Sequence, residues 1–185
     1  MTEDDLIDRL DRLLVTKEAV PGIGEEFRTP PLAVLRYYAR PVRLSRLPLL
    51  SRAASVVVVA RHPPDLPCDA DGFPRLVDRL ARAVQGRYPP WTRPFGLAIG
   101  CTMIVLTTDP IQPDDDALLA AALKRPRRAR AVPLALFRIN PDQDALALTL
   151  AGGLDELFVE PALLADSFCE SLRRFVPRLD LGSLP

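Results

Sequence analysis

Two long apolar runs constrain the fold of this chain more than any other feature. The first, residues 55–61 (SVVVVAR), contains four consecutive valines, and the second, residues 97–106 (LAIGCTMIVL), carries no charge. Valine is stiff about χ1 and favours the extended backbone. Because neither run alternates between apolar and polar residues, we expect both to be interior strands of a sheet that is covered on both faces.

Amphipathic helices are predicted around these strands. Apolar residues recur at helical spacing in four segments, with charged residues on the opposite side. These segments predict helices over residues 2–15, 74–85, 113–124 and 161–176. A shorter helix is predicted over residues 31–40, because Pro31 suits the first turn of a helix.

The order of the elements predicts the fold class. Segments 132–138 and 145–150 flank a short, turn-rich connection and should pair as an antiparallel hairpin. From residue 55 the order is β-α-β-α-β-β-α, and helices between buried strands predict right-handed parallel crossovers. We therefore predict an α/β protein, with α+β as the alternative. Its mixed, mostly parallel sheet has about four strands, with helices on both faces and an N-terminal helical segment.

The 185 residues are predicted to form one domain, with a core over 51–180 and a helical or irregular segment over 1–50 packed on it. Residues are 48% hydrophobic and 26% charged, which excludes a disordered chain. The acidic start does not resemble a secretory signal, and the longest nearly uncharged run, 95–108, is too short for a membrane span. Three widely spaced cysteines predict reduced thiols rather than a disulfide framework. These features indicate a cytoplasmic protein.

A candidate ligand site follows from the predicted parallel strands. Ligands in open α/β sheets bind at the carboxyl ends of the strands. Oxygen-bearing and imidazole side chains follow both apolar runs and could hold a divalent cation or a water. These side chains are His62, Asp109, Asp114, Asp115 and Asp116. The alternative is that the aspartates are ordinary turn and helix-cap residues.

A candidate partner surface follows from charge segregation. No acidic residue occurs between positions 28 and 64, where arginines lie close to two tyrosines, and a second basic cluster spans 124–130. Arginine beside tyrosine suits an acidic protein surface, a phosphate backbone or an anionic membrane interface. The candidate contact residues are Arg36, Tyr37, Tyr38, Arg40, Arg43, Arg46, Trp91, Arg127 and Arg128. The alternative is pairing with the acidic residues of segment 1–27, or simple solvation.

No catalytic set, cofactor fingerprint or metal-ligand spacing stands out in this sequence, so no catalytic residue, cofactor or metal is predicted. The first functional hypothesis is therefore a non-catalytic adaptor or assembly factor that binds a protein partner or a second copy of itself. The second is a small-molecule or metal-dependent binding or hydrolytic domain with an aspartate-rich site at the sheet edge. The third is nucleic-acid binding through the arginines, which zero net charge disfavours.

Overall fold

The computed structural model describes residues 2–23, 32–43, 52–87, 98–124, 131–151 and 158–174. Four helices lie within these ranges: α1 (Glu3–Val15), α2 (Gly72–Arg87), α3 (Asp115–Lys124) and α4 (Glu160–Ser171). The strands are β1 (Val20–Ile23), β2 (Val34–Arg43), β3 (Arg52–Arg61), β4 (Ala98–Leu106), β5 (Ala131–Asn140), β6 (Ala145–Leu150) and β7 (Arg173–Arg174). They form one sheet in chain order, β1-β2-β3-β4-β5-β6-β7.

The centre of the sheet is parallel. β3 pairs with β4 and β4 pairs with β5 in the same direction, whereas β2 and β6 flank them antiparallel. Val56 lies opposite Cys101, and Val59 lies opposite Ile104. The prediction of two buried, parallel apolar strands is confirmed, as is the antiparallel pairing of β5 with β6.

Helices cover both faces of the sheet, which explains why the strands are apolar throughout. Val56 and Val58 belong to a core shared with α2 and α3, whereas Val57 and Val59 belong to a core shared with α1 and α4. Both crossovers step to the next strand in the same direction. A common handedness therefore brings α2 and α3 to the same face.

The N-terminal helix α1 forms as its sequence predicts. The Thr2 hydroxyl accepts a hydrogen bond from the Asp5 N–H (3.1 Å), and the Asp5 carboxylate accepts one from the Thr2 N–H (2.9 Å). This reciprocal cap satisfies two backbone donors at the start of the helix. Leu6, Leu10 and Leu14 are fully buried against the sheet.

The predicted helix over residues 31–40 is wrong, because this part of the chain contains strand β2. Val34, Tyr37, Tyr38 and Val42 are β-branched or aromatic residues that favour a strand, and the two tyrosines pack into the two opposite cores. Pro41 is tolerated because β1 pairs only with residues 36–39, which leaves the outer side of β2 unpaired beyond that point.

Three further differences concern the sheet and its ends. The sheet has seven strands rather than about four, because segment 1–50 contributes β1 and β2 and the C-terminal region contributes the two-residue β7. The last helix was predicted over 161–176, but it ends at Ser171 and the chain then pairs with β6.

Arg46, Trp91, Arg127 and Arg128 lie outside the described residues. None of the helices in the described ranges combines the length and apolarity that a membrane crossing requires.

Candidate functional site

A pocket opens at the carboxyl ends of β3 and β4, where the polar side chains were expected to gather. Its volume is about 650 Å³. The walls come from the start of α1, from the segments that follow β3 and β4, and from the turn that joins β5 to β6. The lining residues are Thr2, Glu3, Arg61, His62, Pro63, Pro64, Leu66, Leu106, Thr107, Thr108, Asp109, Pro141 and Asp142.

Three side chains of different chemistry converge beside this pocket, and two of them, His62 and Asp109, line it. The Cys68 Sγ lies 3.6 Å from the His62 Nε2 and donates a hydrogen bond to the Asp109 Oδ2 at 3.3 Å. One ligand-type atom from each residue lies within 4.8 Å of the other two. We call His62, Cys68 and Asp109 the edge triad. Histidine, cysteine and aspartate are the side chains that most often bind zinc.

Hydrogen bonds from backbone N–H groups hold the loop that carries His62 and Cys68. The His62 N–H donates to the Leu106 carbonyl (2.7 Å), which ties the end of β3 to β4. The Asp69 Oδ1 accepts from the N–H groups of Asp71 (3.0 Å) and Gly72 (2.7 Å) at the start of α2. A Cβ at Gly72 would lie 1.8 Å from the Pro67 carbonyl oxygen, so this close approach requires glycine.

Asp109, the third member, is fixed through its own backbone. Its N–H donates to the Thr107 Oγ1 (3.0 Å), and its carbonyl accepts from the Asn140 Nδ2 (3.0 Å). The Asn140 amide also donates to the Thr108 carbonyl at 3.2 Å. Asn140 is buried at the end of β5, so the parallel arrangement of β4 and β5 positions the segment that carries Asp109.

A buried ion pair lies beside the edge triad. The Arg138 guanidinium donates to the Asp115 carboxylate, and both side chains are almost completely buried. Asp115 also accepts from the Gln112 N–H (2.9 Å), and the guanidinium carbon lies 5.7 Å from the centre of the Phe73 ring. A second guanidinium N–H donates to the Asp109 carbonyl at 3.4 Å. This pair joins α3, β5 and the Asp109 segment.

The surroundings of His62 and Cys68 shift the pKa of each toward its neutral form. Burial lowers the pKa of His62 below its usual value, and the nearby Arg138 adds to that effect. Burial raises the pKa of the Cys68 thiol to about 11, although Arg138 opposes the rise. A thiol with a raised pKa is a poor nucleophile at neutral pH, which argues against cysteine-based covalent catalysis here.

The predicted aspartates do not all reach the pocket. The Asp115 carboxylate is bound to Arg138, and the Asp116 carboxylate accepts from the Leu148 N–H (2.8 Å). Asp114 is exposed just before α3, where its carbonyl accepts from the N–H groups of Ala117 and Leu118. Of the five predicted ligand residues, the structure therefore brings His62 and Asp109 together at the pocket wall.

The predicted partner residues within the described ranges make contacts inside the molecule. The Arg36 guanidinium lies 3.0 Å from the Asp11 carboxylate, and the Arg40 guanidinium lies 2.5 Å from that of the buried Glu160. Tyr37 and Tyr38 are both buried, and burial raises the pKa of Tyr38. For Arg43 the structure describes the strand backbone. Intramolecular pairing, the alternative weighed from the sequence, holds for both of these arginines.

Cys68 was missed by sequence reasoning. It follows His62 by six residues and precedes Asp109 by forty-one, and neither spacing matches a familiar metal motif. The signal lies in the topology, because β3 and β4 are parallel and the loop after β3 folds back across their ends. In the sequence itself, the one hint is that Cys68 follows β3 and Asp109 follows β4, so both could lie at the same edge of the sheet.

A second, shallower groove lies between α4, β6 and the start of α3. Its volume is about 550 Å³, and no comparable convergence of ligand-type atoms occurs among its described lining residues. They are Asp116, Ala117, Leu148, Thr149, Leu150, Ala165, Asp166 and Cys169.

Comparisons with family models, with curated proteins and with solved structures gave no match to this chain. The function must therefore be argued from the site.

Proposed function

We propose that this chain is a cation-binding α/β domain whose site is the pocket at the carboxyl ends of β3 and β4. The observation that carries the proposal is the convergence of the edge triad, whose ligand-type atoms lie within 4.8 Å of one another and whose members His62 and Asp109 line the pocket. In open α/β sheets this edge is where ligands bind. The proposal corresponds to the second function that the sequence suggests, a metal-dependent or small-molecule binding domain.

The charge of the pocket supports a cationic ligand. Glu3, Asp109 and Asp142 line it, against the single guanidinium of Arg61. That guanidinium forms an ion pair with Glu3 at 2.8 Å. The remaining carboxylates give the pocket an excess of negative charge, which attracts cations and repels phosphate groups.

The adaptor and nucleic-acid functions stay predictions from the sequence. Both depend on arginines that are free to contact a partner, whereas Arg36 and Arg40 already form ion pairs with Asp11 and Glu160. Tyr37 and Tyr38, which belong to the same candidate surface, are buried. These contacts favour the cation-binding proposal over the other two.

Thermal unfolding of the full chain tests this proposal. Mg²⁺, Mn²⁺, Zn²⁺ and spermidine are the cationic probes, and inorganic phosphate and ATP are the anionic ones. A cation that binds only the folded protein at 100 times its Kd stabilises it by about 2.7 kcal/mol, which raises Tm by about 5–10 °C. We expect such a shift with at least one cation and none with the anions.

A charge reversal in the pocket locates the effect. Asp142→Lys should weaken binding of the active cation about fivefold, because it replaces an attractive charge with a repulsive one. Asp166→Lys on α4, which lines the other groove, is the matched control and should leave binding unchanged. The absence of a shift with every cation, or a shift with phosphate alone, would contradict the proposal.

A further inference from the structure

We infer that the edge triad is a three-ligand site for Zn²⁺, with the His62 Nε2, the Cys68 Sγ and one Asp109 carboxylate oxygen as the ligands. This inference rests on the proposed function and names the cation that the pocket binds. It differs from the expectation from the sequence, which named no metal ligand.

The spacing of the three atoms fits a tetrahedral ion. With Zn–S of about 2.3 Å and Zn–N or Zn–O of about 2.0–2.1 Å, neighbouring ligand atoms of a tetrahedral site lie about 3.5 Å apart. The Sγ–Nε2 distance is 3.6 Å and the Sγ–Oδ2 distance is 3.3 Å. Two of the three distances between ligand atoms therefore already match those of a tetrahedral site, and the third pair of atoms lies within 4.8 Å.

The kinds of ligand atom select the metal. Mg²⁺ and Ca²⁺ take oxygen ligands, so a site built from sulfur, nitrogen and one carboxylate suits them poorly. Zn²⁺ accepts all three atom types in a tetrahedral site. A thiolate and a carboxylate also balance the two positive charges of the ion. The donor set thus favours Zn²⁺ over the hard divalent cations.

The number of ligands indicates an open site rather than a structural one. Structural zinc sites have four protein ligands, whereas sites that act on small molecules have three and keep the fourth position for water or a ligand. His62 and Asp109 line the pocket. Because two of the three proposed ligands line the cavity, we expect the fourth position of the ion to be open to it, where a water or a small anionic or neutral ligand can coordinate.

The contacts around the edge triad hold it without occupying its ligand atoms. Asn140 and Thr107 bind the backbone of Asp109, and Asp69 caps α2 next to Cys68. Such outer contacts orient ligands before the metal arrives and usually affect metal affinity. The same strand-end and helix-cap contacts that stabilise the fold therefore pre-organise the site.

Cobalt substitution tests the inference directly. The full chain, freed of metal with a chelator, is titrated with Co²⁺ and then with Zn²⁺. We expect a thiolate-to-cobalt charge-transfer band in the near ultraviolet and intense visible bands typical of a tetrahedral ion, both abolished by one equivalent of Zn²⁺. Wild-type protein suffices for this measurement, so it does not depend on whether a variant folds.

Variants assign the ligands. Cys68→Ser should remove the charge-transfer band, and His62→Ala or Asp109→Asn should each lower zinc affinity by more than about 100-fold, beyond the roughly 10–100-fold typical of lost outer contacts. Cys169→Ser and Asp166→Asn are matched controls, since both residues are exposed and distant in sequence from the edge triad. Both should bind Zn²⁺ like the wild type.

The failure of this inference can be told from the failure of the proposed function. Absence of the thiolate band in the wild type, or its persistence in Cys68→Ser, would overturn the zinc site. If Mg²⁺, Mn²⁺ or spermidine still raised Tm and Asp142→Lys weakened that effect, the cation-binding pocket would stand without the zinc assignment.

Discussion

Strand β2 and the carboxyl edge of the sheet both carry polar side chains that stand out in the sequence. The two sets of side chains make different kinds of contact. On β2, Arg36 and Arg40 bind carboxylates of α1 and α4. At the carboxyl edge, the three side chains of the edge triad contact one another instead. The first group links elements of the fold, whereas the second forms a small polar cluster on a pocket wall.

This contrast separates polar side chains that stabilise the fold from polar side chains that indicate a functional site. Charged residues that bridge strands and helices lower the free energy of the fold, and their conspicuous clustering in the sequence follows from that role. A cluster whose members serve no such bridge, and whose atoms have the spacing of metal ligands, adds little to stability. Removing its members should therefore affect binding more than folding.

The largest effect on stability is expected next to the pocket, at the buried ion pair. Asp115→Ala leaves the Arg138 guanidinium buried without its carboxylate, and such a loss costs about 3–5 kcal/mol. Urea unfolding followed by circular dichroism measures it. A cost below about 1 kcal/mol would mean that this pair does not stabilise the junction of α3, β5 and the Asp109 segment.

An intermediate effect is expected on β2. Arg40→Leu deprives the buried Glu160 carboxylate of its partner and should cost about 2–3 kcal/mol. Arg36→Leu is the matched control: its pair with Asp11 is about one-third exposed, so the loss should be below about 1 kcal/mol. Equal costs for the two variants, measured by the same unfolding experiment, would contradict the structural role of the Arg40–Glu160 pair.

The smallest effect is expected in the edge triad. Cys68→Ser, compared with the wild type in the presence of a chelator, should change the free energy of unfolding by less than about 1 kcal/mol, because it preserves size and the half-buried thiol packs only at the edge of the core. Addition of Zn²⁺ should then stabilise the wild type and not the variant. A loss above about 2 kcal/mol without metal would show that the edge triad is structural.

Much of the fold was predictable because its main determinants are local. The valine run and the uncharged run of β4 favour buried strands, and helices α1 and α2 show clear amphipathic patterns. Strand β2 was not predictable in this way. Its residues 34–43 include β-branched and aromatic residues that favour a strand, but they have apolar side chains on both faces, and pairing with β1 and β3 decides between strand and helix. Such long-range pairing leaves no periodic signal in the sequence.

The site was predictable in location but not in composition. Parallel strands bring their carboxyl ends together, which is why His62 and Asp109 could be expected near each other. The role of Asp115 could not be foreseen, since its partner Arg138 lies on a different element and is buried with it. Cys68 escaped notice because the path of the loop after β3, rather than its sequence spacing, brings the thiol to the strand ends.

Nuclear magnetic resonance provides the most direct test of where this molecule binds its ligand. The measurement is the change in backbone amide signals of the full-length protein as Zn²⁺ is added. We expect shifts confined to the loop over 62–72 and to residues 107–109, with the signals of β2 unchanged. Shifts centred on β2, or no shift at all, would contradict it.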